Sequence, residues 1–531
     1  MTIASFNNIA SLGVIKDVQS ENLPADNKVG LAWTDAQNMR FKGGSIVKMP
    51  GCETLIDTST TIAPYFYTRV QKDSSSFYVY GGLNKMYCYY SGSHYNITRQ
   101  SAGVDVNYNC NNDRLWTYTL LNGLPVFNNG VDAPQSWAVN QSTRMANLFG
   151  WKTNYTARVI RSFKAYLVAA DVTTATPQHL GSRVMWSASA LPGALPTSWD
   201  ETDTTKDAGY QDLSDTEGDI IDMLPLKDVN VIYKSTSTYV MSYVGGTKIF
   251  SIVKAFPNIG MLAKNCATHF KGKHFVVTND DVIIHDGFTY QSIIDNKNKR
   301  FLFTSINSSA LQRTFVVPNY ARSEIWICFA TGVSTFPDQA LVYNYEENTW
   351  TRRALPSDTP CINESFVDIA TVGTIDSYSS TVFADATFPF DYSKYNKTAW
   401  SLIVADKNNS KLYLMDQSVS TENGSEMICF VERQNLPIGA DQTIKTIKRI
   451  YPKTTVAGSS VNKVLNIYVG TQMSLGQSVS WQGPYQFNME TDHKVDLMAT
   501  GRYVSLKFLT NTDCDWSMEN FDVEFIEKGR W

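Results

Sequence analysis

Along most of its length the chain is a succession of short aromatic or alternating apolar segments broken by Gly, Asn, Asp and Ser. Almost nowhere do apolar residues return every three or four positions. A chain with that texture cannot form many amphipathic helices, so a mostly β protein is predicted. Phe77-Tyr-Val-Tyr80, Lys85-Met-Tyr-Cys-Tyr-Tyr90 and His94-Tyr-Asn-Ile-Thr98, separated by Gly81-Gly82 and Ser91-Gly92, read as three consecutive strands of a meander. Each glycine-bearing break can supply the positive φ of a tight turn. Comparable units follow at Leu115 to Trp137, Val159 to Trp199, Asp219 to Ile252, Phe270 to Ile293, Thr314 to Arg352 and Leu402 to Asp416.

Corresponding strands recur at irregular spacings of roughly 40 to 70 residues, the length of a four-stranded blade with variable loops. A lone meander cannot bury both faces, whereas sheets stacked around an axis cover one another and leave only short edges. The expected architecture is therefore a degenerate β-propeller of about six or seven blades. A pair of unrelated β-sandwiches is the competing arrangement. Val79-Tyr80-Gly81-Gly82 followed by Met86-Tyr87 resembles the opening of a kelch-type blade, and Val342 to Trp350 resembles its closing hairpin. Residues 1–60 differ in texture and read as an N-terminal arm or platform, 61–430 as the propeller, and 431–531 as a C-terminal β-sandwich. The stretch 376–400, rich in Ser, Tyr, Phe and Asp without period, reads as a projecting insertion.

Composition narrows the function classes. With 531 residues, 43% apolar and 12% aromatic, the chain can bury large cores. Its net charge of −4 argues against strong counterion-release binding of nucleic acid by the whole chain. The first residues lack a basic region followed by a continuous apolar stretch, so neither a secretion leader nor a membrane-spanning segment is expected. Eight scattered cysteines, none in a CxxC pair, read as buried small hydrophobes of a reducing compartment.

No phosphate-cradling loop, dinucleotide fingerprint, nucleophile elbow or HExxH occurs, and the sequence assigns no catalytic, cofactor or metal residue. Cys266, His269, His274 and His285 could in principle share a zinc ion, but a hairpin turn at Lys271-Gly-Lys273 and strand alternation would divide them between faces. The acidic run Asp212, Asp215, Glu217, Asp219 and Asp222 around Gly218 reads as a solvated loop, with a hard cation at Asp215, Glu217 and Asp219 left open. The hairpin ending at Trp350 has Tyr343, Tyr345 and Glu347 where a sialidase-type repeat needs Ser, Asp and Gly. Lys297, Lys299 and Arg300 in one loop, and Lys445, Lys448 and Arg449 on one strand, read as solvated basic faces.

The N-terminal run Gly13-Val-Ile-Lys16-Asp17, Asn22-Leu-Pro24, Ala32-Trp33-Thr-Asp35-Ala-Gln-Asn38-Met-Arg40-Phe41 and Lys48-Met-Pro50-Gly51 resembles the start of the tail nozzle, or packaged-DNA-stabilisation, proteins of short-tailed bacteriophages. Asp132-Ala-Pro134-Gln-Ser-Trp137, Val184-Met-Trp186-Ser187, Asp219 to Met223, Val231-Ile-Tyr233-Lys234 and the closing Gly501-Arg502-Tyr503, Trp516 and Gly529-Arg530 follow in the same order. The resemblance implies a non-enzymatic virion protein, assembled in the host cytoplasm, without a cofactor. It implies a ring, a hexamer, below the portal and adaptor proteins, with tail fibres or spikes as neighbours. Genomic DNA would be retained by that ring and would leave through its lumen without specific binding. The alternatives are a propeller carbohydrate-active tail enzyme and a glycan- or protein-binding propeller scaffold.

Overall fold

The computed structural model describes residues 2–56, 58–73, 75–246, 248–356, 358–368, 398–416, 419–457 and 462–530. The segment expected as an insertion, 376–400, lies almost wholly outside them. Strand dominates, and Lys299–Ser305 is the one α-helix among the described residues.

Seven four-stranded antiparallel sheets follow one another along the chain, six of them uninterrupted meanders. Their first strands are Phe66–Lys72, Thr117–Leu121, Thr156–Phe163, Ile220–Leu226, Ala267–Phe270, Phe315–Asn319 and Cys361–Asp368. Two of the turns use positive φ as expected, at Ser91 and Gly92 after Tyr90 and at Asn122 after Leu121, whereas Gly81 ends a strand and neither it nor Gly82 takes positive φ. In the sixth sheet, Gln339–Asn344 pairs with Thr349–Ala354 in the register Tyr343↔Trp350, the hairpin read from the sequence. The seventh sheet takes its fourth strand from far upstream, with Cys52–Thr54 pairing against Lys411–Met415.

The remaining strands form two larger sheets. A six-stranded sheet centres on Thr443–Ala457 and Asp515–Arg530, and a five-stranded sheet on Tyr503–Thr510 flanked by Cys429–Leu436 and Val464–Gln472. They share one core containing Phe6, Trp33, Phe41, Leu465, Phe508, Trp516 and Phe521, so the two sheets pack face to face. Residues 2–48, within the segment 1–60 expected as an N-terminal arm or platform, contribute strands to this sandwich. Thr2–Phe6, Met39–Lys42 and Ser45–Lys48 belong to the six-stranded sheet, and Asp35–Gln37 pairs with Cys429–Leu436 in the other. The physical reason is that the apolar positions of these short strands have no partner nearby in sequence. The C-terminal strands offer a complementary open edge that would otherwise be exposed.

The same N-terminal residues fasten the sandwich to the meander sheets. Arg40 is buried and donates through Nε and Nη2 to both oxygens of Glu324 at 2.5 and 3.0 Å, and through Nη2 to Asp416 at 3.0 Å. Arg352 makes a bidentate pair with Asp35 at 2.8 Å to each oxygen. The Asp17 carboxylate accepts the N–H groups of Arg300 and Phe301 at the start of the helix. Lys297, Lys299 and Arg300, expected in one loop, therefore lie beside or within this helix. Gly13 sits at φ +65° with the Trp350 carbonyl oxygen only 2.8 Å from where a Cβ would be, which explains why glycine stands there.

Candidate functional site

The first strands of the seven sheets, or the residues just before them, line one cavity. Successive first strands are in contact from the second sheet through to the seventh, and the seventh contacts Phe66–Lys72 of the first. The first and second sheets meet through Phe66 and Tyr118, with ring centroids 6.2 Å apart. All seven sheets contribute to the wall of a single cavity of about 580 Å³.

Part of that wall is apolar, from Phe66, Trp116, Tyr118, Leu224, Phe315 and Ile362. Another part is polar or charged, with Arg161, Asp222, Lys264 and Arg313. Arg161 grips Asp222 through Nε and Nη2 at 3.1 and 2.8 Å and also reaches the Asn265 side chain at 3.0 Å. Asp222 further accepts the Asn265 N–H at 3.0 Å. Burial opposes ionisation of Asp222, yet Arg161 outweighs it and holds the carboxyl below its ordinary range. Arg313 pairs with Asp113 at 2.9 Å, and Arg158 donates to the Gln312 side chain at 3.1 Å. Lys264 donates to the Arg158 carbonyl at 2.9 Å. Burial, reinforced by Arg161, Arg158 and Arg114 against the pull of Asp222, brings its ammonium down to about 7.

Of the sequence candidates only Asp222 and His269 line this cavity. His274 and His285 do meet, but around a tyrosine. The Gly287 N–H donates to His285 Nδ1 at 3.1 Å, and His274 Nε2 donates to the Pro225 carbonyl at 2.9 Å. Tyr233 Oη lies between His285 Nε2 at 2.6 Å and His274 Nδ1 at 2.7 Å. With both rings neutral and protonated on Nε2, each donor meets an acceptor, so no ring lone pair is left for zinc. Burial pushes the two imidazoles down to about 3 for His274 and about 4 for His285. Cys266 is buried with its thiol toward the Thr314 carbonyl, and His269 is exposed. The four do not converge.

The acidic run also disperses. Asp212 pairs with Arg183, Asp215 accepts from Tyr239 and faces Lys254, and Asp222 belongs to the cavity. Asp219 alone joins a potential ligand set, with its oxygen, Asp171 and His179 within 4.8 Å of one another. Asp171 there is already bonded to His179 at 2.5 Å and lies 3.7 Å from Arg158, an arrangement that neutralises it without an ion. On the other basic strand, Lys445 is buried against the Arg502 carbonyl and Arg449 pairs with Asp496 and Glu524, so only Lys448 resembles a solvated cation. Cavity residues such as Arg161, Lys264 and Gln312 carry no motif. Lys264 and Gln312 stand just before a first strand, whereas Arg161 lies near the end of Thr156–Phe163, so no shared position marked them in the sequence.

No protein-family model and no curated protein matches the chain. Among solved structures, it is similar to the extracellular domain of BT4673 from B. thetaiotaomicron (TM-score 0.37, 8% identity, 90% of this chain and 60% of that one). It is also similar to BBS1N in a complex with ARL6DN (TM-score 0.37, 9% identity, 70% and 97%) and to Hsv2 of Kluyveromyces lactis (TM-score 0.31, 10% identity, 61% and 98%). The chain thus spans 60% of the first of these. Likenesses this weak carry no argument about activity.

Proposed function

We propose that the seven four-stranded sheets form a seven-bladed β-propeller inserted into a β-sandwich. We further propose that the chain is the repeating subunit of a phage tail nozzle that retains the packaged genome and lets it out. The observation that carries the propeller reading is the cavity wall to which all seven sheets contribute, together with the strand Cys52–Thr54 completing the last sheet from the other end of the chain. Support for the nozzle reading comes from the ordered resemblance, whose N-terminal residues Asp17, Trp33, Asp35, Arg40 and Lys48 are those that build and fasten the sandwich.

A cavity of about 580 Å³ holds a small molecule and not a DNA duplex. The genome's path would therefore lie between copies of the chain, in the lumen of a ring. A net charge of −4 suits such a wall, because each lysine or arginine neutralising a phosphate would add affinity and slow ejection. Native mass spectrometry of the purified chain, alone and with a portal–adaptor assembly, tests the reading: closed rings of about six copies are expected. A chain that stays monomeric under both conditions contradicts it, and release of reducing sugar from host polysaccharide would favour the carbohydrate-active alternative.

A further inference from the structure

Among the described residues, Lys48, Lys234 and Lys445 are buried and Lys264 is half-buried, and the first two are saturated. Lys48 Nζ donates to the carbonyls of Ser420, Thr512 and Cys514 at 2.9, 2.7 and 3.0 Å. Lys234 Nζ donates to Ser182 Oγ, Leu213 O and Thr216 O at 3.2, 2.7 and 2.6 Å. Each ammonium thereby spends all three protons on fixed acceptors. Lys445 donates only to the Arg502 carbonyl among these residues, at 3.0 Å, and Lys264 differs from all three in lining the central cavity. Among the described residues it has one acceptor, the Arg158 carbonyl, and no carboxylate within ion-pair distance. The nearest acid, Asp222, is committed to Arg161 and to the Asn265 N–H.

We infer that the central cavity binds a small organic anion, with its carboxylate or phosphate head on Lys264 and its apolar body against the aromatic wall. Two ammonium protons without a fixed acceptor face a neighbourhood in which Arg161 is paired with Asp222 and Arg158 lies 3.7 Å from Asp171, so Arg114 and Lys264 are left without an ion pair among the described residues, and a bound anion relieves them. Asn265 and Gln312, which line the same end, supply amide groups that can orient the oxygens. Phe66, Tyr118 and Phe315 give the body a surface, and about 580 Å³ lies within the range of small-molecule sites. This inference needs the cavity but not the ring, so a monomeric chain would leave it standing.

The electrostatics give the site a signature. The groups facing Lys264 are Arg114 ahead of the second sheet, Arg158 and Arg161 of the third, and Asp222 of the fourth. Arg313 of the sixth is neutralised by Asp113, and His269 lies at the far end of the strand that follows Lys264. With the ammonium held down to about 7, the empty site is mostly deprotonated at pH 8. An arriving anion favours the charged form, so binding must take up a proton and weaken as pH rises above 7.

The test is calorimetric titration of the full chain at pH 8 with phenyl phosphate and, separately, benzoate, in two buffers of different ionisation enthalpy. Binding of at least one probe with uptake of about 0.9 proton per site is expected, and which probe binds identifies the head. Lys264→Met should reduce affinity at least about 30-fold, the loss of a charge-assisted contact. Lys264→Arg should keep binding but abolish the proton uptake and the pH dependence, because a guanidinium does not deprotonate. Absence of millimolar binding by both probes, binding without proton uptake, or unchanged binding by Lys264→Met overturns the inference.

Discussion

The meander sheets and the sandwich solve the same problem, covering the faces of antiparallel sheets, from opposite ends of sequence separation. In the first region the strand partners are neighbours: Ser75–Gly81 pairs with Phe66–Lys72 and with Met86–Tyr90, and each turn is short. In the second the decisive pairings span most of the chain, as in Thr2↔Phe525 and Gln37↔Phe430. The seventh sheet belongs to both regimes, since Thr54 pairs with Tyr413. Local pairing makes a region readable and fast to form. Distant pairing concentrates the cost of loop closure in one step and puts stability under the control of a few buried polar contacts.

Removing residues 2–54 should break the comparison most severely. It deletes four strands of the sandwich and the closing strand of the seventh sheet, so the remainder is expected to lose cooperative unfolding in near-ultraviolet circular dichroism. Retention of a sharp transition by that truncation would show that the meander sheets stand alone. Next in size, Arg40→Ala should cost about 4 kcal/mol in urea unfolding, because Glu324 would be left buried without its cation and Asp416 would keep only Arg322, 3.5 Å away. Lys48→Met is expected to cost about 3 kcal/mol by stripping donors from three carbonyls.

Within the meander region the polar contact that matters is local, and its effect should be smaller and pH-dependent. His274 and His285 are neutral in the fold with values of about 3 and about 4, below the ordinary imidazole value of about 6.5. The unfolded chain therefore binds more protons between these limits. The contribution is complete above about pH 6.5 and is lost as pH falls toward 4, with a slope of up to about 1.4 kcal/mol per pH unit for each ring. His274→Gln with His285→Gln should flatten that slope in unfolding measured from pH 4.5 to 7. Smallest of all, Lys271→Ala breaks a surface pair with Glu346 in which both partners are more than half exposed, and should shift stability by less than about 0.5 kcal/mol.

What was readable in the sequence follows the same division. The hairpin at Tyr343 and Trp350, the meander after Phe77 and the C-terminal strands around Val464 and Tyr503 were visible because alternation and glycine breaks act over a few residues. That Ala36, Phe41 and Ile46 would join the core of the C-terminal sheets was not, since nothing in a three-residue strand specifies a partner 400 residues away. The cavity was equally hidden. Lys264 and Arg161 look like any surface cations until seven first strands are brought together, and the histidines that looked like zinc ligands are consumed by Tyr233.

The central claim is that residues 2–54 are woven into both regions. Hydrogen–deuterium exchange of the intact chain, read by mass spectrometry, tests it most directly. Peptides covering Met39–Lys42, Ser45–Lys48 and Cys52–Thr54 should be protected for as long as their partners in Asp515–Arg530 and Lys411–Met415, and should lose protection with them as denaturant is added. Exchange of those N-terminal peptides within seconds, while the partner strands stay protected, would contradict the account.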